Sequence, residues 1–256
     1  DRSPSRGLGD VYKRQGYLQK LKEAGNFLMD LIGNILEVAR IESGKETLTE
    51  TAWNLCNLED TLDLLLDRDI YKKQLTLKKN MELQHPKVYC DVLKIQEITM
   101  NLLSNAVKYT PEGGTIHFTI RELPYEREGY ALFQTVVEDT GIGISKEYIP
   151  HLFEAFSREK SSSESGIIGT GLGLRIVKKF VDLMEGSIVV ESEIGEGTRF
   201  TVTIPHRIAT ANEYISEENA KELPEEIKLN NVRILLAEDN MLNAEIAMTL
   251  LACLLY

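Results

Sequence analysis

The chain has 256 residues, and 43% of them are hydrophobic, which is enough for one or two domains that each bury a core. The formal net charge of −11, from 29 Lys and Arg against 40 Asp and Glu, argues against a nucleic-acid-binding protein, because such proteins normally present a basic face. The three cysteines, Cys56, Cys90 and Cys253, lie in no spacing typical of a disulfide framework or a zinc site, which favours a reducing, cytoplasmic location.

No apolar run approaches the roughly 18 residues that a membrane-spanning helix needs, and the N-terminus lacks the pattern of a signal peptide. We therefore expect any membrane anchor of the parent protein to lie in regions absent from this chain. Residues 1–15 show no apolar periodicity and are predicted to be disordered. Their amino-acid sequence resembles translated sequencing-adapter DNA, and so does the abrupt end at Tyr256. We therefore predict that both ends are assembly artefacts.

A helical pattern runs from Tyr17 to Glu42. Its aliphatic residues follow a heptad-like seam that needs partner helices. The members of the seam are Leu18, Leu21, Leu28, Ile32, Ile35 and Ala39. Further apolar residues widen this stripe, which favours a four-helix bundle over a two-stranded coiled coil. An ordinary core helix packed on its own domain is the alternative.

A second amphipathic helix is predicted from Leu55 to Ile70, followed by strands over 75–79 and 87–90. The next helix, Asp91 to Tyr109, has an apolar stripe on one side. On another side it carries a polar series at helical spacing, formed by Glu97, Asn101, Asn105 and Lys108.

Asparagine is a poor helix former, so Asn101 and Asn105 in mid-helix suggest that the two amides have a function. Amide oxygens suit Mg²⁺, which binds few protein ligands and bridges substrate phosphates. Lys108 could neutralise phosphate charge, and Tyr109 offers a ring near a base or ribose. A merely solvated polar face is the alternative.

Strands are predicted over 115–121 and 130–138, and the second leads into the turn Asp139 to Ile144. Two glycines in this turn would let a flat ring lie against bare backbone, with the Asp139 carboxylate at its edge. An adenine amino group would suit that carboxylate. A short helix is predicted to begin at Ser145.

Three glycines at alternate positions, Gly169, Gly171 and Gly173, lead directly into a helix predicted over 172–184. A helix start with free N–H groups and no Cβ crowding is suited to binding phosphate. The spacing matches neither a P-loop nor a dinucleotide-binding motif, so a different nucleotide fold is indicated. Glycines that serve only turns and a helix start are the alternative. Strands are predicted over 187–192 and 198–204.

Residues 207–230 are acidic and poor in apolar side chains, and are predicted to be a solvated linker. Residues 232–237 then predict a buried strand that ends in Glu238 and Asp239, with a helix beginning near Asn243. A single β–α unit of this kind is too small to be stable alone.

In this order the motifs resemble those of a bacterial sensor histidine kinase of the hybrid type, which carries a receiver domain. Asn101 to Thr110 resembles the N box, Asp139 to Ile144 the first glycine box, and Phe153 to Phe156 the F box of that family. Gly169 to Leu174 resembles the second glycine box. Ile41 to Lys45 resembles the end of the dimerisation helix hairpin.

The resemblance implies an α/β fold of the GHKL (Bergerat) type over residues 50–206, a two-layer sandwich in which a mixed sheet backs three helices. Residues 16–46 would be the second helix of the dimerisation and phosphoacceptor hairpin, and residues 231–256 the truncated start of a receiver. Homodimerisation through the hairpin and a receiver domain as partner are implied as well.

The resemblance also implies ATP and Mg²⁺ as cofactors. Asp139 would bind the adenine amino group, Asn105 would bind Mg²⁺, and Lys108 would lie near the phosphates. Residues 157–165 would form the ATP lid, and Glu238 and Asp239 the acidic pair of the receiver that binds a second Mg²⁺. The implied ATP-binding residues are Asn101, Asn105, Lys108, Tyr109, Asp139, Gly141, Gly143, Gly169, Thr170, Gly171, Leu172 and Gly173.

Family members transfer the γ-phosphoryl group of ATP to a histidine in a His-Glu/Asp-x-Arg/Lys-x-Pro motif. None of His85, His117, His151 and His206 has that setting, so the sequence predicts a kinase core that binds Mg-ATP and does not phosphorylate itself. Two alternatives remain at this point. One is a GHKL ATPase of the gyrase or mismatch-repair kind, although those have a glutamate where this chain has Asn101. The other is a non-catalytic adaptor with this fold.

Overall fold

The computed structural model describes residues 5–44, 46–157 and 170–210. They belong to one compact unit, Asp1–Tyr214, and a second unit, Ile215–Tyr256, lies outside the described residues. Most of the predicted linker and all of the predicted receiver start, with Glu238 and Asp239, therefore lie outside them too. So do Gly169 and most of the predicted lid.

The helices are α1 (Ser5–Glu42), α2 (Asn57–Lys72), α3 (Val92–Tyr109) and α4 (Gly173–Leu183), and a short 3₁₀ helix spans Ile149–His151. The sequence placed α2, α3 and α4 within about two residues of these bounds. The helix predicted at Ser145 is wrong. Only hydrogen-bonded turns follow that residue until the 3₁₀ helix. This helix contains Pro150, which has no backbone N–H to donate.

For residues 5–15 the prediction of disorder is also wrong, because α1 includes them, while residues 1–4 lie outside the described residues. A missing apolar stripe shows that a segment has no buried face, but it does not prevent a helix. The stretch contains several lysine, arginine and glutamine residues with good helix propensity, and no proline occurs within α1.

The strands are β1 (Thr51–Asn54), β2 (Thr76–Glu82), β3 (Lys87–Cys90), β4 (Thr115–Leu123), β5 (Tyr130–Asp139), β6 (Ser187–Glu193) and β7 (Gly197–Ile208). They form one seven-stranded sheet in the order β1-β3-β7-β5-β4-β2, with β6 also paired to β7. The β2–β4 pair is parallel and the other described pairs are antiparallel, so the sheet is mixed, as predicted.

Two details of the sheet differ from the sequence-based expectation. The short strand β1 was missed, because its four residues give too little alternation to register as a strand. The acidic linker was predicted to begin at residue 207, but β7 continues to Ile208. Its last two residues, Arg207 and Ile208, pair with β3. The position of β3 beside β7 cannot be deduced from the local sequence.

One face of the sheet packs against α2, α3 and α4. The alternation along β4 shows which face this is, because Ile116 and Phe118 are buried whereas His117 between them is exposed. The core lies between the two layers, and each fully buried aliphatic side chain stabilises the fold by roughly 1.5–3 kcal/mol. The result is a two-layer α/β sandwich in which a mixed sheet backs three helices, as predicted.

The long helix α1 packs its C-terminal part on this domain, through Val38 and Ile41. Further toward the N-terminus, several large apolar residues among the side chains that the structure describes are exposed. Examples are Leu21 at 68%, Leu28 at 55% and Ile32 at 46% exposure. Among the described residues, no helix is both long and apolar enough to cross a membrane.

Asp91 caps the N-terminus of α3. Its carboxylate accepts hydrogen bonds from the backbone N–H of Lys94 (3.2 Å) and of Thr49 (2.9 Å), and from the Lys94 ammonium (3.2 Å). Burial opposes ionisation of Asp91, but these hydrogen bonds outweigh it and lower the pKa of the carboxyl. The cap therefore fixes the start of the helix that carries Asn101, Asn105 and Lys108.

We expect Asp91→Ala to lower the free energy of unfolding at pH 7 by about 1–2 kcal/mol, the usual cost of losing an N-cap. Because the pKa is lowered in the folded state, this contribution is present above the unfolded pKa near 3.9 and is lost as the pH falls below it. Urea denaturation at pH 7 and at lower pH values, down to below about 3.9, measures the loss of stability and its dependence on pH. Asp91→Asn, which keeps an oxygen acceptor, should retain most of the stability, and an equal loss in both variants would contradict the capping role.

Candidate functional site

A cavity of about 220 Å³ opens between α3, the turn after β5 and the start of α4. The predicted site residues that line it come from all three places: Asn101, Asn105, Lys108, Tyr109, Asp139, Gly143, Thr170, Gly171 and Gly173. The structure thus brings together residues that are up to 72 positions apart in the chain, from Asn101 to Gly173. Gly169 lies outside the described residues.

Two predicted site residues do not line the cavity. Leu172 is 1% exposed, so its side chain belongs to the interior. Gly141 acts through its backbone: its N–H donates to Oδ1 of Asp139 at 2.8 Å. An added Cβ at Gly141 would meet that carboxylate and the carbonyl of Tyr109.

Asp139 ends β5 and is 7% exposed. Burial raises the pKa of its carboxyl to about 6, although hydrogen bonds from the backbone N–H groups of Gly141 and Thr198 oppose the shift. The carboxylate is therefore desolvated and only partly compensated. Such a group is suited to accept a hydrogen bond from a ligand that enters the cavity.

Sequence reasoning missed the apolar part of the cavity and its wall on β7. The additional lining residues are Ala106, Ile142, Ile144, Tyr148, Leu152, Leu174, Thr198 and Phe200, while Ser157, from the predicted lid, lines the cavity as well. Thr198 reaches the site because it pairs with Asp139 in the β5–β7 register. The alternation in β7 shows that its side chains are buried on one face, but only the strand pairing reveals what they face.

Asn101 and α4 are in close contact. The amide nitrogen of Asn101 donates to the carbonyl of Glu97 one turn earlier (3.0 Å), so its oxygen is directed away from that turn. A Cβ added at Gly173 would collide with this oxygen. Only glycine leaves room for the side chain of Asn101 beside the first residue of α4, at the point where the free N–H groups of that helix face the cavity.

The turn that follows Asp139 has its own requirement for glycine. Gly143 has φ +70°, which disfavours other residues, and an added Cβ would collide with the carbonyl of Glu193 in the neighbouring hairpin. Ile142 and Ile144 flank it and line the cavity. The turn thus presents backbone and aliphatic surface, which is suited to a flat ring.

The described residues on either side of the range 158–169 lie next to each other. The backbone N–H of Phe156 donates to the carbonyl of Gly171 at 3.0 Å. Phe153 packs against the core, whereas Phe156 has φ +60° and is 60% exposed, so only the first of these two aromatic residues is a core anchor.

Helix α1 touches the rim of the site. The amide of Asn34 donates to the hydroxyl of Thr170 at 3.4 Å, and Arg175 at the start of α4 forms an ion pair with Glu42. Burial and the neighbouring Glu37 carboxylate raise the pKa of Glu97 to about 7. This part of α1 therefore contacts both α3 and the second glycine loop.

The four histidines all lie away from α1. His85 and His151 pair with the nearby carboxylates Glu122 (2.7 Å) and Glu154 (2.9 Å). His117 is exposed on β4, and His206 is buried on β7, where burial lowers its pKa to about 4. Among the described residues there is also no cluster of three His, Cys, Asp or Glu side chains that could hold a metal ion.

Residues 90–208 match the protein family described as "Histidine kinase-, DNA gyrase B-, and HSP90-like ATPase". This range contains α3, both glycine turns, α4 and the strands that support them. The fold and the cavity thus define an ATP-binding domain of that class.

The chain as a whole, and not only this domain, is similar to signalling kinases. It is 31% identical to the autoinducer 2 sensor kinase/phosphatase LuxQ of Vibrio vulnificus over 88% of this chain and 26% of LuxQ. It is 36% identical to hybrid signal transduction histidine kinase B of Dictyostelium discoideum over 74% of this chain and 10% of that protein. The crystal structure of full-length ShkA in complex with AMPPNP has a TM-score of 0.64 and 26% identity, covering 78% of this chain and 40% of ShkA.

These matches confirm the resemblance predicted from the sequence. The chain belongs to the histidine kinases of two-component signalling, and residues 90–208 are its ATPase domain. It spans only 26% of the length of LuxQ and 10% of kinase B.

We expect Asp139→Asn to raise the stability of the fold and to weaken nucleotide binding. Since the pKa of Asp139 is raised in the folded state, ionisation destabilises the fold, and the free energy of unfolding decreases as the pH rises from about 4 to about 6. At pH 7 the variant should therefore be more stable by about 1–3 kcal/mol, while its affinity for an ATP analogue falls at least tenfold. In the unsubstituted protein, affinity should decrease as the pH drops through about 6.

Thermal unfolding between about pH 4 and pH 8 measures the stability, and isothermal titration calorimetry between about pH 5 and pH 8 measures the affinity. Glu138→Gln is the matched control, because it removes a neighbouring carboxylate that pairs with Arg199 on the sheet. Unchanged affinity in Asp139→Asn would show that the buried carboxylate does not contact the ligand.

We expect Gly173→Ala to weaken binding of an ATP analogue at least tenfold, because the new methyl group displaces the side chain of Asn101 and narrows the cavity beside the start of α4. The accompanying loss of stability should be about 1–3 kcal/mol, as for other overpacked sites. Gly25→Ala is the control, since no heavy atom lies within 4 Å of its added Cβ. Equal affinities in the two variants would contradict the proposed contact.

Proposed function

We propose that this chain is the ATP-binding catalytic core of a sensor histidine kinase, which transfers the γ-phosphoryl group of ATP to a histidine for relay to a receiver aspartate. The observation that carries the proposal is the convergence of one buried carboxylate, two helix-borne amides and two glycine turns on a single cavity. The similar structure of ShkA is a complex with AMPPNP, which supports nucleotide binding by this chain.

Asp139 accepts a hydrogen bond from the adenine amino group, and the backbone at Ile142 and Gly143 covers the ring. Lys108 neutralises phosphate charge. The glycine turn before α4 surrounds the phosphates with backbone N–H groups, which the positive end of the helix dipole reinforces. The chain thus contributes mainly by positioning the nucleotide and neutralising its charge, as is usual in phosphoryl transfer.

A magnesium ion fits this donor set. Asn105 offers an amide oxygen at the cavity, and Mg²⁺ needs few protein ligands because water and phosphate oxygens complete its coordination. When bound, the ion would neutralise negative charge on the phosphates. The second ion implied for Glu238 and Asp239 belongs to the receiver part of the proposal.

The exposed aliphatic face of α1 supports homodimerisation through a helical bundle. The proposed relay partner is a receiver domain, as in hybrid kinases. We place the chain in the cytoplasm, on the cysteine pattern, with any membrane anchor in other regions of the parent protein.

Asn101 argues against a gyrase-type ATPase, which would have a glutamate base at this position. With Mg²⁺ and γ-labelled ATP, we expect the purified chain to bind nucleotide, to hydrolyse it very slowly and to retain no covalent label, since none of its histidines has the acceptor motif. Filter binding, phosphate release and gel autoradiography measure the three quantities.

Asn105→Ala is the control for specific binding, and it should lose the part of the affinity that depends on Mg²⁺. Fast steady hydrolysis would favour an ATPase. Failure to bind at millimolar nucleotide would favour an adaptor, and retained label would overturn the prediction that this chain does not phosphorylate itself.

A further inference from the structure

The C-terminus of α3 is capped from outside the helix. The last four carbonyl groups of an α-helix have no partner within it, and in α3 these belong to residues 106–109. The N–H of Thr110 donates to the carbonyl of Ala106 (3.0 Å), and the N–H of Ile142, in the first glycine turn, donates to that of Tyr109 (3.3 Å). The carbonyls of Val107 and Lys108 lie between them.

Lys73 satisfies both remaining carbonyls. Its ammonium donates to the carbonyl oxygens of Val107 (2.7 Å), Lys108 (2.8 Å) and Thr110 (3.1 Å). An ammonium group has three donors and no acceptor, so three converging carbonyls match its capacity. The positive charge also lies at the negative end of the helix dipole.

The backbone of Lys73 is fixed as well. Lys73 directly follows α2, its N–H donates to the carbonyl of Asp69 (3.1 Å), and its carbonyl accepts from Gly113 (3.0 Å). The residue is half-buried between α2, α3 and the loop before β4. The backbone of Lys73 is thus held by α2 on one side and by the loop before β4 on the other.

We propose that Lys73 is a positioning residue for nucleotide binding, because it sets the orientation of the last turn of α3 and through it the side chains of Lys108 and Tyr109. This inference rests on the proposed function of the cavity. Lys73 itself is not among the residues that line it.

The neighbouring contacts explain why the effect concentrates on Lys108 and Tyr109. Both line the cavity, and the ammonium of Lys108 lies 5.1 Å from the centre of the Tyr109 ring. Asn101 is two turns earlier, beside Gly173. Without Lys73, the carbonyls of Val107 and Lys108 lose their partner, and the last turn of α3 is held only by the hydrogen bonds from Thr110 and Ile142.

The test uses Lys73→Met, which keeps the length of the side chain and removes the charge and the donors. Lys72→Met is the matched control, because Lys72 is an exposed neighbour with the same charge. Affinity for AMPPNP is measured by calorimetry well below the unfolding temperature of each variant. We expect a loss of about 3- to 10-fold in Lys73→Met, the range typical of residues that act through a neighbour, and no change in Lys72→Met.

A double-mutant cycle with Lys108→Met separates positioning from general stability. If Lys73 acts through Lys108, its substitution should have much less effect in the Lys108→Met background. Independent, multiplying effects, or a Lys73→Met variant that is less stable but binds with full affinity, would overturn the inference.

If Lys73→Met does not fold, Lys73→Arg replaces it, because the planar guanidinium keeps the charge but matches the three carbonyls poorly. Full affinity in a folded Lys73→Arg would then overturn the inference, whereas failure of the unsubstituted protein to bind AMPPNP would refute the proposed function instead.

Discussion

The site depends on one buried carboxylate. Removing Asp139 from water is unfavourable, and two backbone N–H groups compensate for only part of that cost, so its pKa remains raised. One of these groups comes from the glycine turn and the other from β7, where Thr198 lies opposite Asp139 in the sheet. The electrostatic character of the site therefore requires both the register of two central strands and the conformation of the turn that follows.

Helix α3 connects this carboxylate to the rest of the cavity. One side of the helix is fully buried, as Leu102 and Leu103 show, while Asn101 and Asn105 face the opening. Its N-terminus is fixed by Asp91, and its C-terminus is capped by Lys73 and by Ile142 of the glycine turn. With both ends held, the polar side chains keep a constant position relative to the sheet.

The sequence predicted the parts of the molecule whose signal is local. The two faces of α3, the turn after Asp139 and the glycines before α4 each have a recognisable pattern within one short stretch of chain, and the cavity contains most of the residues chosen from them. The parts that escaped prediction depend on tertiary contacts. Thr198 and Phe200 reach the cavity only through strand pairing, Lys73 has no motif, and Leu172 belongs to a motif but is buried by its packing.

The central position of β7 has a consequence for the motions of the molecule. This strand pairs with β5 over residues 198–207 on one side, and with β6 (197–203) and β3 (207–208) on the other, whereas β1 and β2 lie at the ends of the sheet. Its amide protons can exchange with deuterium only when much of the sheet opens, so they should be among the slowest in the domain. The wall of the cavity formed by β7 thus persists as long as the domain is folded, and rearrangements around a bound molecule fall to the helical side.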